Sequence, residues 1–428
     1  MYAGIVLASG ILFAALGLAG VLKGEYRRLG KMAMPYWAVS WCAKGMPVQL
    51  CVVALLVSVP YALSLDGRPS LPGALGLGLT GLALALLASC HWRAMRSRAT
   101  LEAALMPLLN PAAVQGTGLP QARIDPPRPQ EWLRPFHFHA PAVETISNLA
   151  YGPAGERNQL DIYRPARASS LAMPVLLQVH GGGWTMGDKA QQAMPLMHYM
   201  AARGWICVAI NYRLGPAARY PDFLVDVKKA IGWIRANIAT YGGDPDFVAI
   251  TGGSAGGHLA SLAALTPNEP DLQPGFESMD TTLAVAVPLY GRYDFLDRGG
   301  WCAGSDLLQF MAANVMPCTH EQDRGLWERA SPVSRVRPDA PPFFVVHGSH
   351  DCLIPVGEAT DFVQRLRAVS RSPVLYAELF GAEHGYDFAN SPWTAYTVRA
   401  IFSFLDFQHR RYRGRGTDAI TRDSRATR

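Results

Sequence analysis

Three stretches near the N-terminus, Tyr2 to Leu22, Met46 to Leu65 and Leu71 to Cys90, carry no charged residue at all. Each is about 20 residues long, the length an α-helix needs to cross the hydrocarbon core of a bilayer. A helix apolar all round could also be buried in a large soluble core, but three such runs in succession with no polar face argue against that. A secretory signal would carry basic residues ahead of its apolar run, and Met1 to Leu22 has none. The expectation is three membrane-spanning helices. Lys23, Arg27, Arg28, Lys31 and Lys44 lie between the first and second stretches, Arg68 alone between the second and third, and Arg93, Arg96 and Arg98 after the third. The positive-inside rule then places everything beyond residue 92 on the cytoplasmic side of a multi-pass cell-membrane protein.

The remainder, in a chain of 428 residues of which half are apolar, is long enough to bury a large core. Residues 93–142 hold a proline-rich segment, "RIDPPRPQEWLRPFHFHAP", whose missing backbone donors and fixed φ predict an irregular connector. Residues 411–428 are basic, with Arg411, Arg413, Arg415, Arg422, Arg425 and Arg428, and are expected to form a solvated, disordered tail. The net charge of +6 comes largely from this end and gives no reason to expect a nucleic-acid partner. The seven cysteines form no C-x-x-C pair, so neither a zinc site nor a disulfide framework is indicated; Cys302 and Cys318 are the two that could bridge a loop.

Between 143 and 410 short apolar strands alternate with helical patterns. The strands are 174–179, 205–212, 247–251, 283–290, 342–348 and 374–380. Phe223, Val227, Ile231, Ile234 and Ile238 keep helical spacing, as do Val398, Ile401, Phe402 and Leu405. This predicts an α/β domain with a mostly parallel sheet covered by helices on both faces, interrupted by an insertion at about 295–330.

The chemistry is expected at the strand ends. "FVAITGGSAGGHLASLAAL" is a buried strand, then Gly252-Gly253-Ser254-Ala255-Gly256, then an apolar helix: G-x-S-x-G in its strand-to-helix context. The competing phosphate loop would need a Walker lysine, which is absent. A serine nucleophile needs a base and an acid that orients it, in the chain order serine, acid, histidine. His384, just after the last strand, supplies the base. Asp351, in the loop after "FFVVHG", supplies the acid, with Asp294 as its rival. Glu383 is too close in sequence to His384 to be its orienter. His258, His347 and His350 are expected to be structural, and His137 and His139 lack a convergent third metal ligand.

These motifs, with His180-Gly181-Gly182-Gly183-Trp184 and "NYRLGPAARYPD", resemble an α/β-hydrolase of the hormone-sensitive-lipase-like esterase group over roughly residues 145–410. The resemblance implies an oxyanion hole formed by the N–H groups of Gly182, Gly183 and Ala255, with His180 holding the loop and Gly181, Gly252 and Gly256 supporting the turns. Trp184 and Met186 are candidates for the substrate pocket. Gly253 departs from the group, many members of which carry an acidic residue there. The expected activity is a membrane-anchored serine carboxylesterase acting on ester or lipid-like substrates, requiring neither metal nor organic cofactor and held to membrane lipids by its N-terminal helices. The alternatives are a prenylcysteine methylesterase, an amidase or formamidase, and an inactive hydrolase fold used for binding.

Overall fold

The computed structural model describes residues 2–64, 69–108, 124–167 and 171–426. Arg68, residues 109–123 of the connector and Arg428 lie outside these residues. Eight strands form one sheet: β1 (Val143–Ala150), β2 (Gln159–Pro165), β3 (Met173–Val179), β4 (Ile206–Ile210), β5 (Gly243–Gly253), β6 (Val285–Leu289), β7 (Phe343–Gly348) and β8 (Val374–Leu379). Their order is β1-β2-β4-β3-β5-β6-β7-β8. β1 and β2 pair antiparallel with their neighbours, and every other pairing is parallel. β3, β4, β6 and β7 are buried along their whole length, which is why they read as unbroken apolar runs. β1 is an edge strand with one buried residue, and polar residues interrupt β2, so neither shows as a strand in the sequence.

Thirteen described helices are numbered here in chain order. In the N-terminal unit they are α1 (Tyr2–Val21), α2 (Tyr26–Leu29), α3 (Ala33–Gly45), α4 (Pro47–Leu63) and α5 (Leu71–Leu105). The connector holds α6 (Pro129–Leu133). The sheet domain adds α7 (Met194–Ala201), α8 (Asp222–Asn237), α9 (Ala255–Leu265), α10 (Leu307–Asn314), α11 (Arg324–Arg329), α12 (Val356–Val369) and α13 (Pro392–Ala426). One sheet face is covered by α8, α9 and α12, through Val227, Ile231, Leu259 and Phe362. The other is covered by α7, α13 and the end of α5, through Met197, Ile401, Phe404 and Leu101.

The helices differ from expectation in three ways. Tyr2–Val21 and Leu71–Leu108 are long and apolar enough to cross a membrane, but α4 is shorter, and the segment Arg27–Gly45 meets it at 85°. Pro47 at the first turn of α4 sets that corner, because proline is tolerated where no intrahelical N–H is needed. Second, α5 runs well past the apolar run into the region expected to be a connector, since nothing from His91 to Leu105 breaks a helix and Ala94, Leu101 and Leu105 find a buried face against the sheet domain. Third, the basic tail is no separate irregular segment: α13 continues as helix through Ala426, a stretch with no proline and many arginines, propagated from a docked N-terminal half. Cys302 and Cys318 are both free.

α1 and α5 run side by side in the same direction. A Cβ on Gly10 would lie 2.6 Å from the Gly76 carbonyl, and one on Gly76 would lie 2.7 Å from the Leu7 amide, so the helices touch backbone to backbone. α4 returns antiparallel alongside them, with Ser58 and Thr80 hydroxyls 3.1 Å apart. In the sheet domain, β2 is tied to the loop after β3 by a buried ion pair: the Lys189 ammonium lies 3.0 Å from the Asp161 carboxylate and donates to Asn148 Oδ1 at 2.9 Å. Removing the acid would strand that ammonium in the interior. Asp161→Ala is therefore expected to lose about 3–5 kcal/mol of stability, read as a fall in thermal midpoint of about 10 °C; an unchanged midpoint would show that the pair carries no such load.

Candidate active site

Ser254 stands at the tip of the turn from β5 into α9, with φ 58° and ψ −122°. That backbone is strained for a residue with a side chain, and it lifts the hydroxyl off the sheet. Its N–H donates to the Leu289 carbonyl at 3.0 Å. The turn closes only because its neighbours are bare: a Cβ on Gly256 would overlap the carbonyl of Val179 on β3, and one on Gly252 would press on Gly256 itself. α9 is buried from end to end, so its N-terminus is aimed at the serine through a water-excluded interior.

His384, in the loop after β8, brings Nε2 to 2.9 Å from Ser254 Oγ. Its Nδ1 lies 2.8 Å from Asp351 Oδ2. With Nδ1–H donating to the carboxylate, Nε2 is left as the acceptor for the serine hydroxyl. The other Asp351 oxygen accepts from the N–H groups of Leu353 and Ile354 at 2.9 and 2.7 Å. Burial alone would lift the Asp351 pKa, but the neighbouring His384 charge and hydrogen bonds from His347 and His384 outweigh it and hold the carboxyl well below the usual range. Asp294 lies elsewhere, closing its own turn on Arg298 at 3.0 Å.

The glycine loop after β3 faces the same serine. Gly182 and Gly183 have φ of +115° and +59°, a region that L side chains rarely adopt. The N–H groups of Gly182, Gly183 and Ala255 find no acceptor within the protein among the described residues. The loop is held from behind. His180 stacks on Tyr212 at 4.3 Å and bonds the Gly181 carbonyl at 2.7 Å through Nδ1; the Tyr212 hydroxyl donates to the His180 carbonyl, and Gln192 accepts from the Gly181 N–H. Burial pushes the His180 pKa down to about 4, so the ring is neutral at pH 7.

The remaining candidates separate by burial. Trp184 is buried and packs edge-on against His258 and Phe295, so it supports the loop from inside. Met186 is 62% exposed and Phe310 of α10 39% exposed; the two lie beside Gly182 and Gly183 and form an apolar rim. His258 bonds the Ala330 carbonyl at 2.7 Å, and burial lowers its pKa to about 3. His347 bonds the Ile354 carbonyl. Burial, followed by the charges of Lys44, Arg93 and Lys23, lowers His350 to about 4. His139 and His198 face each other across 6.0 Å and border a cavity of about 650 Å³ away from Ser254.

Asp297, Cys302 and Glu358 are the described group close enough to share a metal ion. The Arg292 guanidinium already lies 3.0 Å from Glu358, and burial lifts the Cys302 thiol to about 11, leaving it protonated at neutral pH.

Two features were hidden from sequence reasoning. The first explains Gly253: a Cβ there would strike the Tyr290 ring, whose edge lies against His384 with centroids 4.9 Å apart and whose hydroxyl donates to Asp387. The second is Glu383, whose buried carboxylate meets the N-terminal unit. Gly253→Ala is expected to displace Tyr290 and cost about 10- to 100-fold in kcat/KM, checked by steady-state kinetics. Gly182→Val should lower kcat by about 10²-fold or more; an unchanged kcat would put the oxyanion donors elsewhere.

The BD-FAE family matches residues 160–366. Probable carboxylic ester hydrolase LipM of Mycobacterium tuberculosis is 48% identical over 280 residues, which cover 65% of this chain and 64% of LipM. Esterase LipQ of the same organism is 43% identical over 320 residues, 73% of this chain and 75% of LipQ. The chain thus spans just under two thirds of LipM's length and three quarters of LipQ's. Isoprenylcysteine alpha-carbonyl methylesterase ICME of Arabidopsis thaliana is 28% identical over 292 residues, 65% of this chain and 64% of ICME. Among solved structures, propionate-bound Est2, an esterase of Thermogutta terrifontis, superposes with a TM-score of 0.50 at 26% identity, covering 61% of this chain and 92% of that one.

Proposed function

Because the chain belongs to the α/β-hydrolase esterases, the family of LipQ, we propose that it hydrolyses carboxylic esters with apolar acyl groups through an acyl-enzyme on Ser254. The hydrogen-bonded chain from Ser254 through His384 to Asp351, at 2.9 and 2.8 Å, carries the reading. His384 takes the serine proton as Oγ attacks the ester carbonyl. The carbonyl oxygen becomes an alkoxide and receives the N–H groups of Gly182, Gly183 and Ala255. The tetrahedral intermediate collapses, His384 protonates the departing alcohol, and the acyl group stays on Ser254. A water, deprotonated by the same imidazole, repeats the sequence and frees the acid. Asp351 keeps Nδ1 protonated throughout.

The apolar rim of Met186 and Phe310 suits an acyl chain entering from an apolar phase. In this reading α1 and α5 cross the bilayer, the α3–α4 pair completes the anchor, and the basic residues after the third apolar stretch keep the catalytic domain on the cytoplasmic side. Ser254→Ala is expected to lower turnover of a p-nitrophenyl ester by about 10⁴-fold or more, with retained turnover sinking the assignment. The likeness to ICME supports a second reading, a prenylcysteine methyl ester as substrate. Rates on p-nitrophenyl esters of increasing acyl length, set against a prenylcysteine methyl ester, separate the two: a kcat/KM more than about tenfold higher on the methyl ester favours the second.

A further inference from the structure

The loops carrying Asp351 and His384 both end against α3, a helix of the N-terminal unit. Five residues of α3 make the contact, at positions 33, 37, 40, 41 and 44, the spacing of a single helical face. The Ala33 carbonyl lies 3.9 Å from Cys352 Sγ. Trp37 and Trp41 donate their indole N–H groups to the carbonyls of His384 and Gly385, each at 2.8 Å. Ser40 Oγ and Lys44 Nζ donate to Glu383 Oε2 at 2.7 and 2.8 Å.

Glu383 is where these contacts converge. Its second oxygen, Oε1, accepts from the N–H of Cys352 at 2.8 Å and from the N–H of His384 at 3.2 Å. One carboxylate therefore joins the residue after the acid, the base itself and two side chains of α3. Lys44 and Glu383 are each only 1% exposed. The opposite face of α3, with Met34, Pro35, Ala38 and Val39, is exposed and apolar. Lys44, which in sequence counts as one of the loop charges that orient the membrane segments, is a buried partner of the catalytic domain.

A buried ion pair is a costly way to glue two surfaces, because both charges must be desolvated. It is a precise way to fix a geometry, because four donors converge on one rigid carboxylate. Nothing comparable is needed on the serine side, where the elbow and the glycine loop are held by the sheet itself. We infer that Lys44 and Glu383 are positioning residues: α3, acting through the Glu383 carboxylate, holds the Asp351 and His384 loops in register with Ser254, so that the N-terminal helical unit is part of the hydrolytic machinery. The inference rests on the triad reading given under Proposed function.

The test uses the full-length protein in detergent micelles or nanodiscs with p-nitrophenyl butyrate, and expresses kcat per site titrated with a fluorophosphonate, so that unfolded protein is not counted. Lys44→Met and Glu383→Gln are each expected to lower kcat about 10- to 100-fold and leave KM within about twofold. The double variant is expected to lose no more than the worse single one, because both remove the same link. Kcat within about twofold of wild type in either single variant, or losses that multiply in the double, would overturn the proposal. If the lysine variant does not fold, Trp37→Phe keeps an aromatic ring on α3 and removes the donor to the His384 carbonyl; it is expected to lower kcat about threefold to tenfold, and an unchanged kcat would overturn the proposal equally. Ser254→Ala keeps the two readings apart: if it still turns over, the triad reading fails, whereas a dead Ser254→Ala beside fully active α3 variants sinks the brace alone.

Discussion

β3, β5 and α9 meet backbone to backbone around Ser254, and the rest of the site takes its positions from there. With the Val179 carbonyl pressed on Gly256, the turn out of β5 has no room for side chains, and the serine accepts a positive φ. The strain is held by the fully buried α9 and by the flanking strands, whose burial supplies the stabilisation that offsets it. The same crowding explains why the loop after β3 is also bare of side chains. In the proposed reaction a carbonyl oxygen approaching Ser254 meets the Gly182 and Gly183 backbone, and any Cβ on Gly182 would lie on the Met186 backbone.

Where the chemistry depends on backbone constraints of this kind, it is legible in sequence. Glycines around Ser254 and after His180 announce close approach, and the parallel strands announce themselves as apolar runs. Asp351 and His384 follow from the order in which strand ends come past the serine. What sequence hides is the pairing of side chains far apart in the chain. Gly253 is bare for a reason located at Tyr290, and the helical stripe from Ala33 to Lys44 carries no hint of a partner more than 300 residues away. Glu383, set aside because it adjoins the histidine, accepts the N–H of that same histidine.

Boundaries between regions were obscured for a related reason. Composition changes at His91, where apolar residues give way to arginine and alanine, but a helix needs no change of element to cross from lipid-like to polar surroundings. α5 simply exchanges one set of neighbours for another, trading α1 for the sheet domain. The basic end of α13 is the same case in reverse, a polar stretch that follows an already formed helix. β1 was missed because an edge strand with one buried residue has no apolar signature.

The continuity of α5 also imposes an angular relation. The helix carries about 1.5 Å and 100° per residue from the Gly76 contact with α1 to Leu101 and Leu105 under the sheet. The catalytic domain is thereby indexed to the helical bundle as a cog is to its shaft. Adding or deleting one residue between Cys90 and Ala94 would swing the whole domain through roughly a quarter turn and pull the His384 loop off α3, although every residue of the triad and of the glycine loop stayed in place.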